Sequence, residues 1–296
     1  MQASSPIFFV FLPLALIIIM LGLGLALTVR DFRNVLDAPR AVLVALLFQT
    51  VVLPAVCLGV VHVFGLEPAL AVGMMLLAAS PGGTSSTLYS HLADGDVALN
   101  VTLTAINSTL AIVTMPLIVN ASLAYFLTGD QAIPLQFVKM LQVFALVLIP
   151  MAVGMFLRLR FPGLADRMAR PVKVLSAVFL IAVVIVALVQ EWQTIVTWAP
   201  VVGLAALTFN LISLALGYLG PRLAGVENRQ AIAIGLEIGI HNAALAIAVA
   251  MSPLLLNNGT MAIPAAVYGL IGYVTAAGFT LLLKRRHGGL AEQVTR

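Results

Sequence analysis

The stretch Gly235-Leu236-Glu237-Ile238-Gly239-Ile240-His241-Asn242 places a carboxylate, an imidazole and a carboxamide inside the apolar segment Ala231–Met251. An ionisable group at the centre of a bilayer is unfavourable by roughly 3 kcal/mol or more, so it is expected to have a partner and a function. The glycines and the polar pair around Glu237 indicate a helix that is interrupted at the carboxylate, within Glu237–Asn242. Interrupted helices with a buried acid are typical of ion sites in secondary transporters.

The whole chain has the composition of a polytopic membrane protein. Of its 296 residues 62% are hydrophobic and 9% are charged, and its mean hydropathy is +1.13, whereas a soluble domain carries about 25% charged residues. The pI of about 9.6 does not indicate a nucleic-acid partner, because the basic residues lie in short loops between apolar segments. Cys57 is the single cysteine, so no disulfide can form within one chain.

Nine apolar segments are long enough to cross a bilayer, which takes about 20 residues. We interpret the first as a retained helix, because no basic region or small-residue cleavage site of a signal peptide accompanies it. The sequence therefore predicts an all-α membrane protein with one transporter domain over residues 1–296. The nine predicted spans are Ile7–Thr28, Ala41–Phe64, Pro68–Leu92, Val97–Leu127, Pro134–Leu157, Val172–Gln190, Trp198–Gly220, Gln230–Ser252 and Thr260–Leu283.

The basic residues orient these spans. They follow the first, fifth, seventh and ninth spans, and Lys139 is the single exception among the 15 Lys and Arg residues. Basic loops stay on the cytoplasmic side of a membrane. The pattern thus predicts an N-terminus outside and a cytoplasmic tail over residues 284–296.

The third and eighth spans share an interruption in the middle. Pro81-Gly82-Gly83 should break the third span, and Gly239 marks the break of the eighth. A span with one amide side chain precedes each of them, carrying Gln49 or Asn210, and a long unbroken span follows. Paired interrupted helices in two inverted halves indicate a transport site, although each kink alone could be a packing feature. The two predicted repeats cover residues 7–127 and residues 134–283, the latter with one unpaired helix.

Polar side chains gather around both interruptions. Asn100, Thr104, Asn107 and Ser108 lie three or four residues apart and share one helical face. Hard, mostly neutral oxygen donors around the Glu237 carboxylate suit an alkali cation such as sodium better than a transition metal. Any single hydroxyl could instead bond to its own helix backbone. The groups at the two interruptions are Ser80, Thr84, Ser85, Ser86 and Thr87 at the first, and Gln49, Glu237, His241, Asn242 and the Ile238 and Ile240 carbonyls at the second.

The half-helices that restart after the interruptions offer an anion site. Their first N–H groups lack partners within the helix, and the positive ends of their dipoles point at the interruption. We expect Thr84, Ser85 and Asn242 to contact an anionic substrate there.

Three motifs make the sequence resemble the bile acid:sodium symporter family. The family has a Pro-Gly-Gly-Thr-Ala-Ser-Asn-like motif, then Gly-Asp/Asn-Val-Ala-Leu-Ser, and late in the chain Glu-Val-Gly-Met-Gln-Asn. The order of the motifs and the repeat extend the resemblance over nearly the whole chain. The corresponding residues are Pro81-Gly82-Gly83-Thr84-Ser85-Ser86-Thr87, Gly95-Asp96-Val97-Ala98-Leu99-Asn100 and Glu237-Ile238-Gly239-Ile240-His241-Asn242.

This resemblance implies a panel domain, and a core domain with two crossed discontinuous helices. Thr87 stands where the family has Asn, and Asn100 where it has Ser, so a carboxamide has moved across the implied site. His241 stands where the family has Gln, which puts the second sodium in doubt and admits a proton. The implied ligands are Ser86, Thr87, Asn100, Thr104 and Glu237 for one sodium, and Gln49, Glu237, His241 and the Ile238 and Ile240 carbonyls for a second.

The leading hypothesis is a symporter that imports an organic anion with one or two sodium ions, acting as a monomer in a bacterial inner (plasma) membrane. By the resemblance, the anion is bile-acid-like, a steroid sulfate or a small carboxylate such as pantoate. One alternative is a proton-coupled or uncoupled transporter, or a sensor, on the same fold. A remote alternative is an intramembrane metalloenzyme using Glu237 and His241, for which His62, His91 and His287 are badly placed as a third ligand. The chain is therefore not expected to be an enzyme.

Overall fold

The computed structural model describes residues 34–83, 85–127, 137–172, 192–252 and 255–294, with single residues between 14 and 28 and between 174 and 178. Nearly all of this part of the chain is helical, as predicted. The predicted first and sixth spans lie mostly outside it. Four of its helices are long and apolar enough to cross a membrane, and their ends lie within three residues of predicted boundaries. These are Pro39–Val63, Val97–Phe126, Val196–Leu223 and Thr260–Lys284.

Nine helices are named here in chain order. A π-helical turn, Phe48–Val52, lies inside the first, and a 3₁₀ turn, Thr260–Ala262, precedes the last. The predicted tail continues the last helix as far as Val294. The helices are α1 (Pro39–Val63), α2 (Pro68–Ala79), α3 (Ser86–Leu92), α4 (Val97–Phe126), α5 (Phe137–Arg160), α6 (Trp192–Leu223), α7 (Asn228–Gly239), α8 (Ala243–Met251) and α9 (Ile263–Val294).

Two of the predicted spans are each built from two half-helices. The third span is α2 followed by α3, and the eighth is α7 followed by α8. The predicted position of the second interruption needs a correction, because Glu237 lies inside α7 and not at the break. The N–H of Ile240 still donates to the Leu236 carbonyl at 3.1 Å, so the helical ladder continues past the carboxylate and ends at Gly239.

The same turn leads into both interrupted spans. Gly65 after α1 has φ +59° and Gly225 after α6 has φ +74°, a conformation that glycine adopts without a steric penalty. In each turn the N–H of the following residue reaches back five positions, from Leu66 to Val61 and from Val226 to Pro221. This is the hydrogen bond of a helix C-terminus closed by glycine. The repetition is what two copies of one structural unit would produce.

Helices α2 and α7 lie at the centre of the described structure. Every residue from Leu70 to Ala79 is buried, as is every residue from Ala231 to Gly239. A helix that is buried on all sides needs close neighbours, and small residues allow them. A Cβ on Gly217 of α6 would lie 2.9 Å from the Cα of Gly235 in α7. The two backbones therefore approach closely beside the second interruption.

Candidate cation and substrate site

The two interruptions meet and pair their backbones. Gly82 and His241 form an antiparallel bridge. The N–H of Gly83 donates to the Ile240 carbonyl at 2.6 Å, and the N–H of Asn242 donates to the Pro81 carbonyl at 2.8 Å. Unwound backbone at membrane depth needs partners inside the protein. Each interruption therefore supplies hydrogen-bond partners to the backbone of the other.

Glu237 lies beside this crossing point. It belongs to α7 and is fully buried. In the described part of the chain no basic side chain forms an ion pair with it; the ion pair found there joins Arg158 and Asp166. A buried carboxylate without a cationic partner is strongly unfavourable. Its charge needs compensation, which a bound cation could supply.

Hydroxyl groups surround one oxygen of this carboxylate. Oε2 of Glu237 lies 2.6 Å from Oγ of Ser86 in α3 and 2.8 Å from Oγ1 of Thr104 in α4. The carboxamide oxygen of Asn100 lies 3.0 Å from Ser86 Oγ and 2.8 Å from Oγ1 of Thr87. We call these five side chains the hydroxyl cluster. All five were predicted to share a site, and α3, α4 and α7 bring them together.

The hydroxyl cluster has more oxygen contacts than protons to fill them. Thr104 Oγ1 also lies 3.0 Å from the carbonyl oxygen of Asn100, which makes five short oxygen–oxygen contacts among these residues. Ser86, Thr87 and Thr104 each carry one hydroxyl proton. Three protons can fill at most three of the five contacts. An arrangement so rich in oxygen lone pairs is suited to a small cation.

Asn100 is oriented by its amide nitrogen. Nδ2 donates to the Ala233 carbonyl of α7 at 3.0 Å, so Oδ1 is turned toward Ser86 and Thr87. Thr87, which stands where the related motif has Asn, is in direct contact with that oxygen. The exchange of residue types between the two positions therefore keeps a carboxamide and a hydroxyl side by side.

The second predicted group gathers around the Ser80 carbonyl. Gln49 Nε2 donates to it at 2.9 Å, and His241 Nδ1 lies 3.3 Å away. A carbonyl only accepts, so Nδ1 of His241 carries the proton in this contact. Oε1 of Gln49 and Nε2 of His241 are left buried without partners. Gln49 lies in the π-helical turn of α1, a feature that often occurs at functional sites.

Aromatic side chains fix the imidazole of His241. Its ring stacks on Phe209 with centroids 5.3 Å apart and an interplanar angle of 19°, and it meets the edge of Tyr268 at 5.5 Å. The predicted Ile240 carbonyl ligand already accepts the Gly83 N–H. Three buried acceptor atoms of these side chains have no hydrogen-bond partner: Gln49 Oε1, His241 Nε2 and Glu237 Oε1. That they bind a second cation stays a prediction.

The predicted substrate contacts lie where the half-helices restart. Thr84 lies outside the described residues. Ser85 precedes α3 and makes no side-chain cap, so its hydroxyl is not used by that helix. Asn242 caps α8, because its Oδ1 accepts from the Leu245 N–H at 3.0 Å. A contact between Asn242 and an anion would therefore involve Nδ2.

Glycine at position 82 is required by the carboxylate. A Cβ there would lie 2.1 Å from Oε1 of Glu237, far inside van der Waals contact. At Gly83 the nearest atoms, carbonyl oxygens of Ile240 and His241, are 3.3 Å away. The two neighbouring glycines therefore differ: Gly82 makes room for Glu237, and Gly83 lies beside the paired backbone.

Sequence reasoning missed a set of residues that hold the second interruption. Asn210 Nδ2 and the hydroxyl of Tyr268 donate to the Gly239 carbonyl at 2.9 and 2.8 Å. Thr275 donates to Oδ1 of Asn210. Asn210 stood out as an amide inside an apolar span but was not predicted as a site residue. Its equivalence to Gln49, which donates to a carbonyl at the first interruption, is the signal that could have identified it.

Comparison with known proteins gives consistent matches. The profile of the sodium bile acid symporter family matches residues 13–198. A probable chloroplast sodium/metabolite cotransporter of Arabidopsis thaliana is 30% identical over 257 residues, which is 85% of this chain and 62% of that protein.

Two further relatives extend the comparison. An uncharacterized sodium-dependent transporter of Bacillus subtilis is 27% identical over 92% of this chain and 84% of its own length. The ileal sodium/bile acid cotransporter of Oryctolagus cuniculus is 25% identical over 73% of this chain and 62% of its own length. This chain thus spans less than two thirds of the plant and rabbit relatives that it matches.

Proposed function

The chain belongs to the sodium bile acid symporter family, and from that premise we propose that it is a secondary active symporter that imports an organic anion together with sodium. Members of this family are sodium-dependent transporters, and the apolar helices are those of a multi-pass membrane protein.

The observation that carries the proposal is the hydroxyl cluster around Glu237. A buried carboxylate lies among oxygen atoms whose contacts outnumber the available protons. Sodium bound there would neutralise Glu237 and replace the missing protons. Because α3, α4 and α7 all contribute ligands, the ion would also hold the two interrupted spans together. Bound sodium would thereby stabilise the crossing point at which the substrate binds, which is a physical basis for coupling.

The substrate is proposed to be an organic anion that binds beside the crossing point. The positive end of the α8 dipole and Nδ2 of Asn242, whose Oδ1 already caps the helix, favour a negative charge there. Thr84 and Ser85 are the predicted contacts on the other interruption. The relatives' printed names include bile acid, organic anion and metabolite cotransporters. The proposal covers the three classes that the sequence left open: a bile-acid-like anion, a steroid sulfate and a small carboxylate such as pantoate.

The architecture proposed for transport is an inverted repeat of nine spans with a core and a panel. Repetition of the glycine turns at Gly65 and Gly225 and of amides that donate to break carbonyls, Gln49 and Asn210, supports two copies of one unit. In this proposal the N-terminus lies outside and the C-terminus in the cytoplasm of a bacterial inner membrane, and the monomer is the transporting unit.

The decisive experiment is uptake by purified protein in liposomes. A panel of carboxylates and sulfates is offered with an inward gradient of sodium, or of potassium as the control, and uptake of one class is expected to saturate and to require sodium. Uptake that ignores the cation would indicate an uncoupled transporter, and absence of uptake with intact ligand binding would indicate a sensor.

One observation supports a second candidate, coupling to a proton at the second cation position. Nε2 of His241 is buried and has no hydrogen-bond partner, and an imidazolium there would compete with sodium for the charge of Glu237. Sodium dependence of uptake at several pH values, in the wild type and in His241→Gln, separates the two candidates. Parallel pH profiles of the two proteins would exclude His241 as the proton-binding group.

A further inference from the structure

A regular series of polar contacts joins helices α4 and α7. From one contact to the next, both members advance by four residues, so each pair is separated by the same 133 positions of sequence. Residues four apart lie on one face of a helix, so the two helices run parallel and keep one register over two turns. The contacts are from the Asp96 N–H to the Arg229 carbonyl at 2.9 Å, from Asn100 Nδ2 to the Ala233 carbonyl at 3.0 Å, and from Thr104 Oγ1 to Glu237 Oε2 at 2.8 Å.

Two of these three contacts belong to side chains of the hydroxyl cluster. Asn100 and Thr104 approach Glu237 from α4, so the register of α4 against α7 sets how far their oxygen atoms lie from the carboxylate. A shift by one residue along a helix is about 1.5 Å. Even a fraction of that shift would separate Thr104 from Glu237. The cation site therefore depends on whatever fixes this register.

The third contact, farthest from Glu237, lies at the turn that joins α3 to α4. Asp94 in this turn has φ +57°, and its carbonyl accepts from Nε of Arg229 at 3.2 Å. Asp96 caps α4, because its Oδ1 accepts from the Leu99 N–H at 3.0 Å, while its own N–H donates to the Arg229 carbonyl. Arg229 thus holds the turn with both its backbone and its side chain.

Gly95 allows this turn to pack directly on α7. Its N–H donates to the Ser90 carbonyl of α3 at 2.8 Å. A Cβ at position 95 would lie 2.7 Å from Ser90 Oγ and 3.0 Å from Cγ2 of Ile232 in α7, so a side chain would push the turn away. Gly95 and Asp96 share a motif with the predicted ligand Asn100. Their own contacts bring together the ends of the three helices that carry the hydroxyl cluster.

We propose that Arg229 and the turn Asp94–Asp96 form a clamp that sets the register of these three helices, and that Arg229 is a positioning residue for sodium. It lies eight residues before Glu237, about 12 Å along α7, so it acts on the ion only through the helices. This inference rests on the proposed sodium coupling and extends it to residues outside the hydroxyl cluster. Ligands that are already held in place lose less freedom when the ion binds.

Two neutral substitutions of Arg229 separate its hydrogen bond from its charge. Nε2 of glutamine is as many bonds from Cα as Nε of arginine, so Arg229→Gln can keep the donor to Asp94, whereas Arg229→Met keeps a similar stem without a donor. Direct binding of sodium to the purified protein, without substrate, is measured. In Arg229→Met the sodium concentration for half-saturation should rise about threefold, the effect of one exposed hydrogen bond. In Arg229→Gln it should stay close to the wild-type value.

Arg222→Met is the matched control. Arg222 also donates to a backbone carbonyl, that of Val226 at 3.0 Å, but within one turn and not between helices. Sodium binding should be unchanged in this variant. A loss equal to that of Arg229→Met would overturn the clamp, because any missing arginine on this side would then have the same effect. Equal losses in Arg229→Met and Arg229→Gln would also overturn it, because the charge and not the hydrogen bond would be responsible.

The remaining outcomes separate this inference from the proposed function. Wild-type sodium binding in Arg229→Met overturns the clamp and leaves the hydroxyl cluster as the cation site, whereas absence of sodium binding in the wild type overturns both. If Arg229→Met does not fold, Gly95→Ala replaces it, since the added Cβ displaces the turn from α7. The same rise in the half-saturating sodium concentration is expected there, and wild-type binding in Gly95→Ala would contradict the proposal.

Discussion

The two helix interruptions arise from similar stretches of sequence but are held in different ways. The second, residues 240–242, is short and takes partners from two long helices, because Asn210 of α6 and Tyr268 of α9 both donate to the Gly239 carbonyl. The first, residues 80–83 and 85, has one such partner, since Gln49 of α1 donates to the Ser80 carbonyl. Its other contacts are with the second interruption, through Gly83, Pro81 and the His241 contact with Ser80.

The second interruption is therefore held mainly by long helices, and the position of the first depends mainly on the second. Asn242 caps α8 with its own side chain, whereas Ser85, the residue before α3, makes no side-chain cap. A helix start that lacks a cap is less stable by about 1 kcal/mol. We infer that a substitution at Asn210 or Tyr268 displaces both interruptions, whereas a substitution confined to the first interruption has a local effect.

Glu237→Gln should have the largest effect, because residues of both interruptions depend on that carboxylate. The amide keeps the shape and removes the charge, so sodium-stimulated uptake is expected to fall to background while the protein still folds. Sodium-dependent uptake in liposomes measures this, and the thermal melting temperature in detergent checks folding. Wild-type sodium dependence in this variant would remove Glu237 from the cation site.

Gly82→Ala should be the next most severe change, and it compares the two glycines of the first interruption. A Cβ at position 82 would lie 2.1 Å from Glu237 Oε1, so the carboxylate must move. Overpacking of this kind is unfavourable by about 1–3 kcal/mol. We expect sodium affinity to fall by tenfold or more. In the matched variant, Gly83→Ala, the nearest atoms are 3.3 Å away, so a clearly smaller loss is expected.

Equal losses in the two glycine variants would mean that the interruption needs glycine for its backbone conformation and not for space around Glu237. A larger substitution, Gly83→Leu, is expected to block transport while membrane insertion remains intact. Unchanged uptake in Gly83→Leu would show that the crossing point tolerates a side chain there.

Tyr268→Phe tests the anchor of the second interruption with a single missing hydroxyl. The Gly239 carbonyl would keep Asn210 and lose one hydrogen bond, worth about 1 kcal/mol, so sodium affinity is expected to fall about fivefold. Tyr218→Phe is the matched control, since its hydroxyl bonds to Asn228 away from both interruptions. Equal effects of the two variants would show that Gly239 is not a special anchor.

The sequence predicted the large elements well because their signals are local. Apolar length predicted the membrane-crossing parts of α1, α4, α6 and α9 to within three residues, although α6 begins earlier and α9 continues further than predicted. Pro81 with its glycines indicated the first interruption correctly. The second interruption was placed too early, because glycines flank Glu237 on both sides and cannot show which one ends the helix. Hydrogen bonds from α6 and α9 to Gly239 decide that point, and such contacts between distant segments leave no local pattern.

The hydroxyl cluster was predicted more completely than the anchors for a related reason. Ser86, Thr87, Asn100 and Thr104 are polar residues in apolar spans, so each one is visible in the sequence. Tyr268 and Phe209 resemble ordinary apolar core residues, and their contacts with Gly239 and His241 become evident only in three dimensions. The functional roles of all these residues remain predictions until sodium binding is measured.

Substitutions of Thr87 and Asn100 should have the smallest effects on sodium binding, and they give the sharpest test of the first interruption. Asn100 Oδ1 accepts from Thr87 Oγ1 at 2.8 Å and from Ser86 Oγ at 3.0 Å, so the two residues share one small volume. Thr87→Asn adds a second carboxamide to this volume, and Asn100→Ser replaces the existing carboxamide with a shorter hydroxyl side chain. Each single change is expected to weaken sodium binding a few-fold, and the double change should restore much of the affinity. Sodium binding measured over the complete double-mutant cycle gives the coupling between the positions. Additive losses would show that Thr87 and Asn100 act independently, and that α3 is held at the cluster by Ser86 alone.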